Sequence, residues 1–369
     1  MKTRTPLTLG SAPSPLARNQ AAAVLRRLLE AHPRLSCEQV IVQIASGDTD
    51  AAGPFLAESR TAAMALHAKL LAGEFRLAAH YAADLALPLP DGLVRAAVLE
   101  RETPYDAFLN RQGHITDEMP DGALIGVLNL RARAQMQALW PQLEVRVLRG
   151  GAERALESMM RHGLVDGLVL PAVVAEHLGI QALVSELYYP EMMLPGGGQG
   201  VVVVLAREQD EEAREAAHSL HSQATAWELD AEIAFVERIA SDLDLAVGVL
   251  ARVDGKRILV TGAIASPSGD SVNRASRDGP AAQAASVGAG LAEQLLLSGD
   301  SLLDLLEADF PEGLPTADSD EELAESDENG AGRGSRGAAA RLADAELPEE
   351  MDLGAEEEEE GDTQDDEED

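Results

Sequence analysis

A carboxylate set where a buried strand ends is well placed for acid–base or electrostatic chemistry, and residues 75–90, FRLAAHYAADLALPLP, carry that arrangement. The apolar run 77–79 reads as a strand that delivers His80, Tyr81 and then Asp84 at its carboxyl end. Open α/β sheets bind ligands just beyond that edge. Pro88 and Pro90 then turn the chain away. Asp84 serves equally well as the cap of a turn or helix, so residue type leaves both roles open. His80 reads as a packed core histidine.

Other chemistry-bearing residues point less clearly. His218 and His221 lie three apart on an expected helix, without the carboxylate-rich partner motif of a metal centre. Ser11, Ser14 and Ser46 have no neighbouring His–Asp signature for nucleophilic catalysis. The glycine run at 196–200 has no following Lys-Ser/Thr and is not a phosphate loop. The single Cys37 excludes an internal disulfide and a cysteine-built metal site, and reads as an inert thiol.

Periodicity supplies the elements around these residues. Strands are expected at 5–9, 38–44, 77–79, 94–99, 123–127, 144–148, 166–170, 201–205, 245–253, 257–265 and 271–275. Helices are expected at 15–31, 54–72, 130–139, 171–178 and 280–297, with two more within 208–238. Ser14 with Pro15 behind it is a helix start, and such an end attracts anions through its free amides. Asp254-Gly255 marks a hairpin.

Composition narrows the partners. Aromatics are 3% of the 369 residues, so the cores are built from Ala, Leu and Val. The formal net charge is −35, and residues 311–369 hold 24 Asp and Glu against three Arg, or −21, which leaves about −14 for the rest. An acidic body disfavours nucleic acid and anionic membranes. The longest apolar run, 201–206, is too short to span a bilayer, and no signal peptide is read at 1–6, so a cytoplasmic protein is expected. From about residue 310 the sequence is acidic, Gly/Ala/Ser-rich and aperiodic, and reads as a disordered acidic tail. Such a tail is either a solvating extension or an interaction segment for a basic protein partner.

Several short motifs, in order over residues 5–300, resemble the porphobilinogen deaminase (hydroxymethylbilane synthase) family. Ser14-Pro15-Leu16-Ala17-x-x-Gln20-Ala21 is similar to its Arg-Lys-Ser-Pro-Leu-Ala-x-x-Gln-Ala, and His80-Tyr81-Ala82-Ala83-Asp84 to its His-Ser-Leu-Lys-Asp. Ser46-Gly47-Asp48 resembles its Thr-Arg-Gly-Asp. Leu130-Arg131-Ala132 stands where it has Leu-Arg-Arg, and Arg149-Gly150-Gly151 where it has Arg-Gly-Asn. Ala231-Glu232-x-Ala234-Phe235 and the turn Ser266-Pro267-x-Gly269 follow in place. The resemblance implies two periplasmic-binding-protein-like α/β domains and a small α+β domain. The expected boundaries are 1–99 with 200–218, then 100–199, then 219–309, ahead of the tail at 310–369.

The family joins four porphobilinogens, with loss of ammonia, on a dipyrromethane cofactor held by a cysteine. The resemblance implies Asp84 as the catalytic carboxylate, and Ser14, Arg131 and Arg149 as groups that bind cofactor or substrate. The chain departs from the pattern at positions 12, 52, 83, 132 and 155, where the family's basic residues are all Ala. Leu243 stands in the place of the cofactor-bearing Cys, so no covalent dipyrromethane is expected. Pyrrole acetates and propionates call for bidentate Arg partners, and each lost contact removes roughly 1.5–3 kcal/mol. The first reading is therefore a degenerate member, a pseudoenzyme of tetrapyrrole biosynthesis. The alternatives are an active hydroxymethylbilane synthase and a small-anion binder that uses the interdomain cleft. Either way, the ligand expected is a pyrrole or another small carboxylate, and no metal is expected.

Overall fold

A computed structural model describes residues 6–43, 60–85, 87–239 and 246–297. Its first elements are β1 (Leu7–Ser11), α1 (Pro15–Ala31), β2 (Cys37–Ile41), α2 (Arg60–Ala72), β3 (Leu77–Tyr81) and β4 (Leu93–Val98). A second group follows: β5 (Asp106–Asn110), β6 (Leu124–Val127), α3 (Leu130–Leu139), β7 (Glu144–Val147), α4 (Gly151–Met160), β8 (Gly167–Pro171), α5 (Ala172–His177) and β9 (Val184–Tyr188). The chain returns through β10 (Val202–Arg207) and α6 (Glu211–His218). It ends in α7 (Gln223–Ile239), β11 (Ala246–Asp254), β12 (Arg257–Ala265), β13 (Val272–Pro280) and α8 (Ala284–Leu297).

Two five-stranded sheets share one design. The first has the order β2-β1-β3-β10-β4 and the second β7-β6-β8-β5-β9. In each, three parallel strands are followed by one antiparallel strand that reaches in from the far side of a crossing: β10 in the first sheet, β5 in the second. These are two α/β domains of periplasmic-binding-protein type. The third sheet, β11-β12-β13, is an antiparallel meander covered by α7 and α8.

Apolar helix faces hold the layers together. Leu16, Ala21, Val24 and Leu28 of α1 pack on Leu7, Leu9, Leu77 and Ala79, while Leu66 and Leu70 of α2 cover the other face of the same sheet. The α1 cluster continues without a break into Ala152, Ala155 and Met159 of α4 and Val173 of α5, so one apolar core joins the two α/β domains. In the third domain α7 and α8 approach closely. A Cβ on Gly288 would lie 2.0 Å from the Ala231 carbonyl oxygen, and only glycine permits that contact.

Some elements differ from expectation. The first strand runs Leu7–Ser11 rather than 5–9, because Gly10 and Ser11 continue the parallel ladder opposite Val40 and Ile41. The strand expected at 38–44 is Cys37–Ile41, so Cys37 opens it rather than preceding it; burial raises the pKa of its thiol. β13 extends through polar residues to Pro280, because β12 offers a partner along its whole length. β5 and β9 are strands that periodicity did not show. The Ser46-Gly47-Asp48 segment, position 52, Leu243 and the acidic region from 310 lie outside the described residues.

Candidate functional site

Each sequence-predicted residue sits at the carboxyl end of a strand. Ser14 caps α1 after β1: its backbone is extended, and its hydroxyl accepts from the Ala17 amide at 3.1 Å. Asp84 lies in a short helical turn after β3 and is 5% exposed. The glycine-rich return backs that turn closely, since a Cβ on Gly198 would lie 2.9 Å from the Ala82 Cβ. Arg149, exposed after β7, precedes Gly150, whose φ of 89° lets the chain enter α4.

Arg131 has a different setting. It is buried in the first turn of α3, and its guanidinium forks onto Asp106 at 2.8 and 3.0 Å while also donating to the Leu194 carbonyl at 2.8 Å. Gln199 donates to the same Asp106 at 3.1 Å and to the Pro104 carbonyl at 2.7 Å. The arginine therefore ties together the two segments that cross between the α/β domains. Beside it, Arg101 donates to Glu228 (3.1 Å), Glu232 (2.8 Å) and the Gln199 carbonyl (2.9 Å), all buried. Glu232 also accepts from the Gly198 and Ala251 amides, which clamps the crossing to the third domain.

The two α/β domains meet across the amino ends of α1 and α4. Glu153, in the first turn of α4, accepts from the Leu16 amide at 3.1 Å. Further along α1, Asn19 donates to the His177 carbonyl at 2.9 Å, and Glu102 pairs with Arg27 (2.9 Å) and the His177 ring (3.0 Å). Burial raises the Glu102 pKa, but the His177 and Arg27 contacts outweigh it and hold the carboxyl below its ordinary range. Tyr81 stands edge-on to His177 at 5.9 Å, 2% exposed, and its hydroxyl has no hydrogen-bond partner among the described residues. Burial, followed by the charges of Glu102, Asp84, Glu153 and Glu176, holds that phenol well above its usual pKa.

The structure thus sets Ser14, Asp84 and Arg149 each beyond a strand's carboxyl end, joins the amino ends of α1 and α4 through Glu153, and turns Arg131 into the crossing. Sequence reasoning missed Glu153 and Glu102. An acidic residue in a first helical turn reads as serving its own helix, and nothing local shows that Glu153 reaches an amide 137 residues earlier.

Four of the positions that resemble the family's basic residues are described. Ala12 and Ala132 are 2% exposed and Ala155 is fully enclosed, whereas Ala83 is exposed. His80 is buried against His67, with ring centroids 5.1 Å apart. His218 and His221 stack at 5.0 Å, and the His221 Nδ1 accepts from the Val98 amide. Among the described residues no group of three or more His, Cys, Asp or Glu could hold a metal ion, and no helix is long and apolar enough to cross a membrane.

The chain is similar to known proteins across most of its length. The sequence model of a family described as "Porphobilinogen deaminase, dipyromethane cofactor binding domain" matches residues 7–215. A porphobilinogen deaminase from Roseiflexus castenholzii is 33% identical over 304 residues, which is 81% of this chain and 99% of the relative. Another from Roseiflexus sp. is 33% identical over 301 residues, 80% of this chain and 98% of that protein. Among solved structures, the methionine-binding protein MetQ aligns at a TM-score of 0.38 and 15% identity, over 58% of this chain and 89% of that one. On the strength of the family match and of these relatives, which it spans almost end to end, the chain belongs to the porphobilinogen deaminase family.

Proposed function

We propose that this chain is a non-polymerising member of its family, associated with tetrapyrrole biosynthesis, that carries no covalent dipyrromethane and holds a small carboxylate-bearing ligand in the cleft without turning it over. The observation that carries this reading is the enclosure of the Ala12, Ala132 and Ala155 methyls. A guanidinium or ammonium in such a place would be overpacked and would bury an unpaired charge, so the surroundings have closed around methyl groups.

A dipyrromethane fits these residues poorly. Its acetate and propionate arms need cationic forks, yet Arg131 is committed to Asp106. The amino end of α1 already faces the Glu153 carboxylate. Leu243 offers no sulfur for a thioether. In this reading Asp84 orients a ligand at the end of β3 and completes no chemistry.

The competing reading, an active hydroxymethylbilane synthase, draws support from Asp84, which keeps its place at the strand's carboxyl end. Intact mass of the purified protein, together with a porphobilinogen consumption assay, separates the two. An unmodified mass and no consumption are expected. A mass increment of a dipyrromethane, or turnover abolished by Asp84→Ala, would overturn the proposal.

A further inference from the structure

We propose that Glu153 is the cleft's built-in anion: its carboxylate occupies the amino end of α1, latches the two α/β domains together, and must leave before a carboxylate ligand can enter. The inference rests on the ligand class argued above, but its central observation is independent of that class.

The first turn of α1 shows why Leu16 needs an outside acceptor. Pro15 has no N–H, the Ala17 amide goes to the Ser14 hydroxyl, and the Arg18 amide goes to the Ser14 carbonyl at 3.0 Å. Leu16 alone in that turn presents an amide with no acceptor on its own helix. The group that meets it is the Glu153 carboxylate of the second domain, at 3.1 Å. A carboxylate there is favoured both by the hydrogen bond and by the positive end of a 17-residue helix.

A second observation comes from Tyr81, which packs in the same apolar cluster as Leu16 of α1 and Ala152 of α4. The Tyr81 hydroxyl is buried without a partner among the described residues, although nearly every buried hydroxyl finds one. Glu153 and Asp84 are among the charges that act on it. A ligand carboxylate that displaced Glu153 would take over the Leu16 amide, and it would lie where a phenolic O–H is free to donate.

Other polar bridges between α1 and the second domain, the Asn19–His177 and Arg27–Glu102–His177 contacts, lie one or more turns further along the helix. Glu153 is the contact at the helix end itself, where a ligand's carboxylate would compete with it.

The test uses the full chain as wild type, Glu153→Ala and Glu153→Gln. Peptide-level hydrogen exchange over residues 15–20 is read with and without sodium acetate, against sodium chloride at equal ionic strength, and porphobilinogen binding is followed by calorimetry. In Glu153→Ala, exchange is expected to rise about tenfold, as suits loss of a charge-assisted hydrogen bond, and acetate is expected to restore protection where chloride does not. Acetate should leave the wild type unchanged, and Glu153→Gln, which keeps an acceptor without the charge, should fall between. Porphobilinogen should bind Glu153→Ala about tenfold more tightly than wild type. Unchanged exchange in Glu153→Ala, or protection by chloride equal to that by acetate, would overturn the latch. Faster exchange with no gain in porphobilinogen affinity would overturn displacement. Turnover or a dipyrromethane mass increment in the wild type would instead remove the functional reading above, and the exchange ratio would still decide the latch.

Discussion

The crossing between the α/β domains and the cleft beside it treat charge in opposite ways. At the crossing, Arg101 and Arg131 are both buried, and their guanidiniums meet Glu228, Glu232, Asp106 and backbone carbonyls. At the contact between α1 and α4 the charge facing the α1 end is a carboxylate, and three of the positions that resemble the family's basic residues are enclosed methyls. Buried charge is tolerated at the crossing because its partners are built in.

The largest test of that contrast is Arg101→Leu, which strands the enclosed Glu232 without its cation and leaves Glu228 only Arg252, 3.7 Å away. A loss of about 3–5 kcal/mol in urea unfolding is expected; a loss below about 1 kcal/mol would show that the crossing does not depend on its ion pairs. Next in size is Ala155→Arg, a direct attempt to reinstate a basic residue. Overpacking alone predicts a cost of about 1–3 kcal/mol in the same assay. A stable, porphobilinogen-binding variant would show that the cleft has not closed around the methyl.

A smaller effect concerns Glu102, whose folded pKa lies below its ordinary value. Its contribution is fully present above the unfolded pKa of about 4.3 and is lost as pH falls through the lower folded value. The stability difference between wild type and Glu102→Gln, roughly 1 kcal/mol near pH 5, should shrink as pH falls below about 4.3. A difference that grows on acidification would reverse the assignment. Smallest is Ala83→Lys. That position is exposed beside Asp84, so stability should stay within about 0.5 kcal/mol. Only ligand binding should then report the new charge.

Local signals were legible where a single residue decides the structure. Ser14 with Pro15 gave the start of α1, where the Ser14 hydroxyl accepts from the Ala17 amide at 3.1 Å. β5 and β9 were missed because Asp106 and Asn110 at the ends of one, and Ser185 and Glu186 within the other, break the apolar pattern. Those polar groups find partners from distant segments: Asp106 in Arg131, Asn110 in Ser185, and Glu186 in Thr116. The site divides the same way. Asp84 could be placed at a strand's end from sequence, whereas the partner of Arg131 lies 25 residues away and that of Glu153 lies 137 away. Neither pairing leaves a trace in spacing.

One consequence concerns how the cleft can open. The outgoing and returning segments run side by side, with the Leu99 amide on the Val202 carbonyl (3.0 Å) and the Glu102 amide on that of Gly200 (2.8 Å). A two-stranded ribbon of this kind bends and twists readily, but sliding one strand along the other would break its ladder. Arg101 further rivets the ribbon to α7. Any opening that keeps both hydrogen bonds is therefore a rotation about the ribbon, and it must also part the apolar core shared by α1 and α4. A single interprobe distance across the cleft would then suffice to define the conformation.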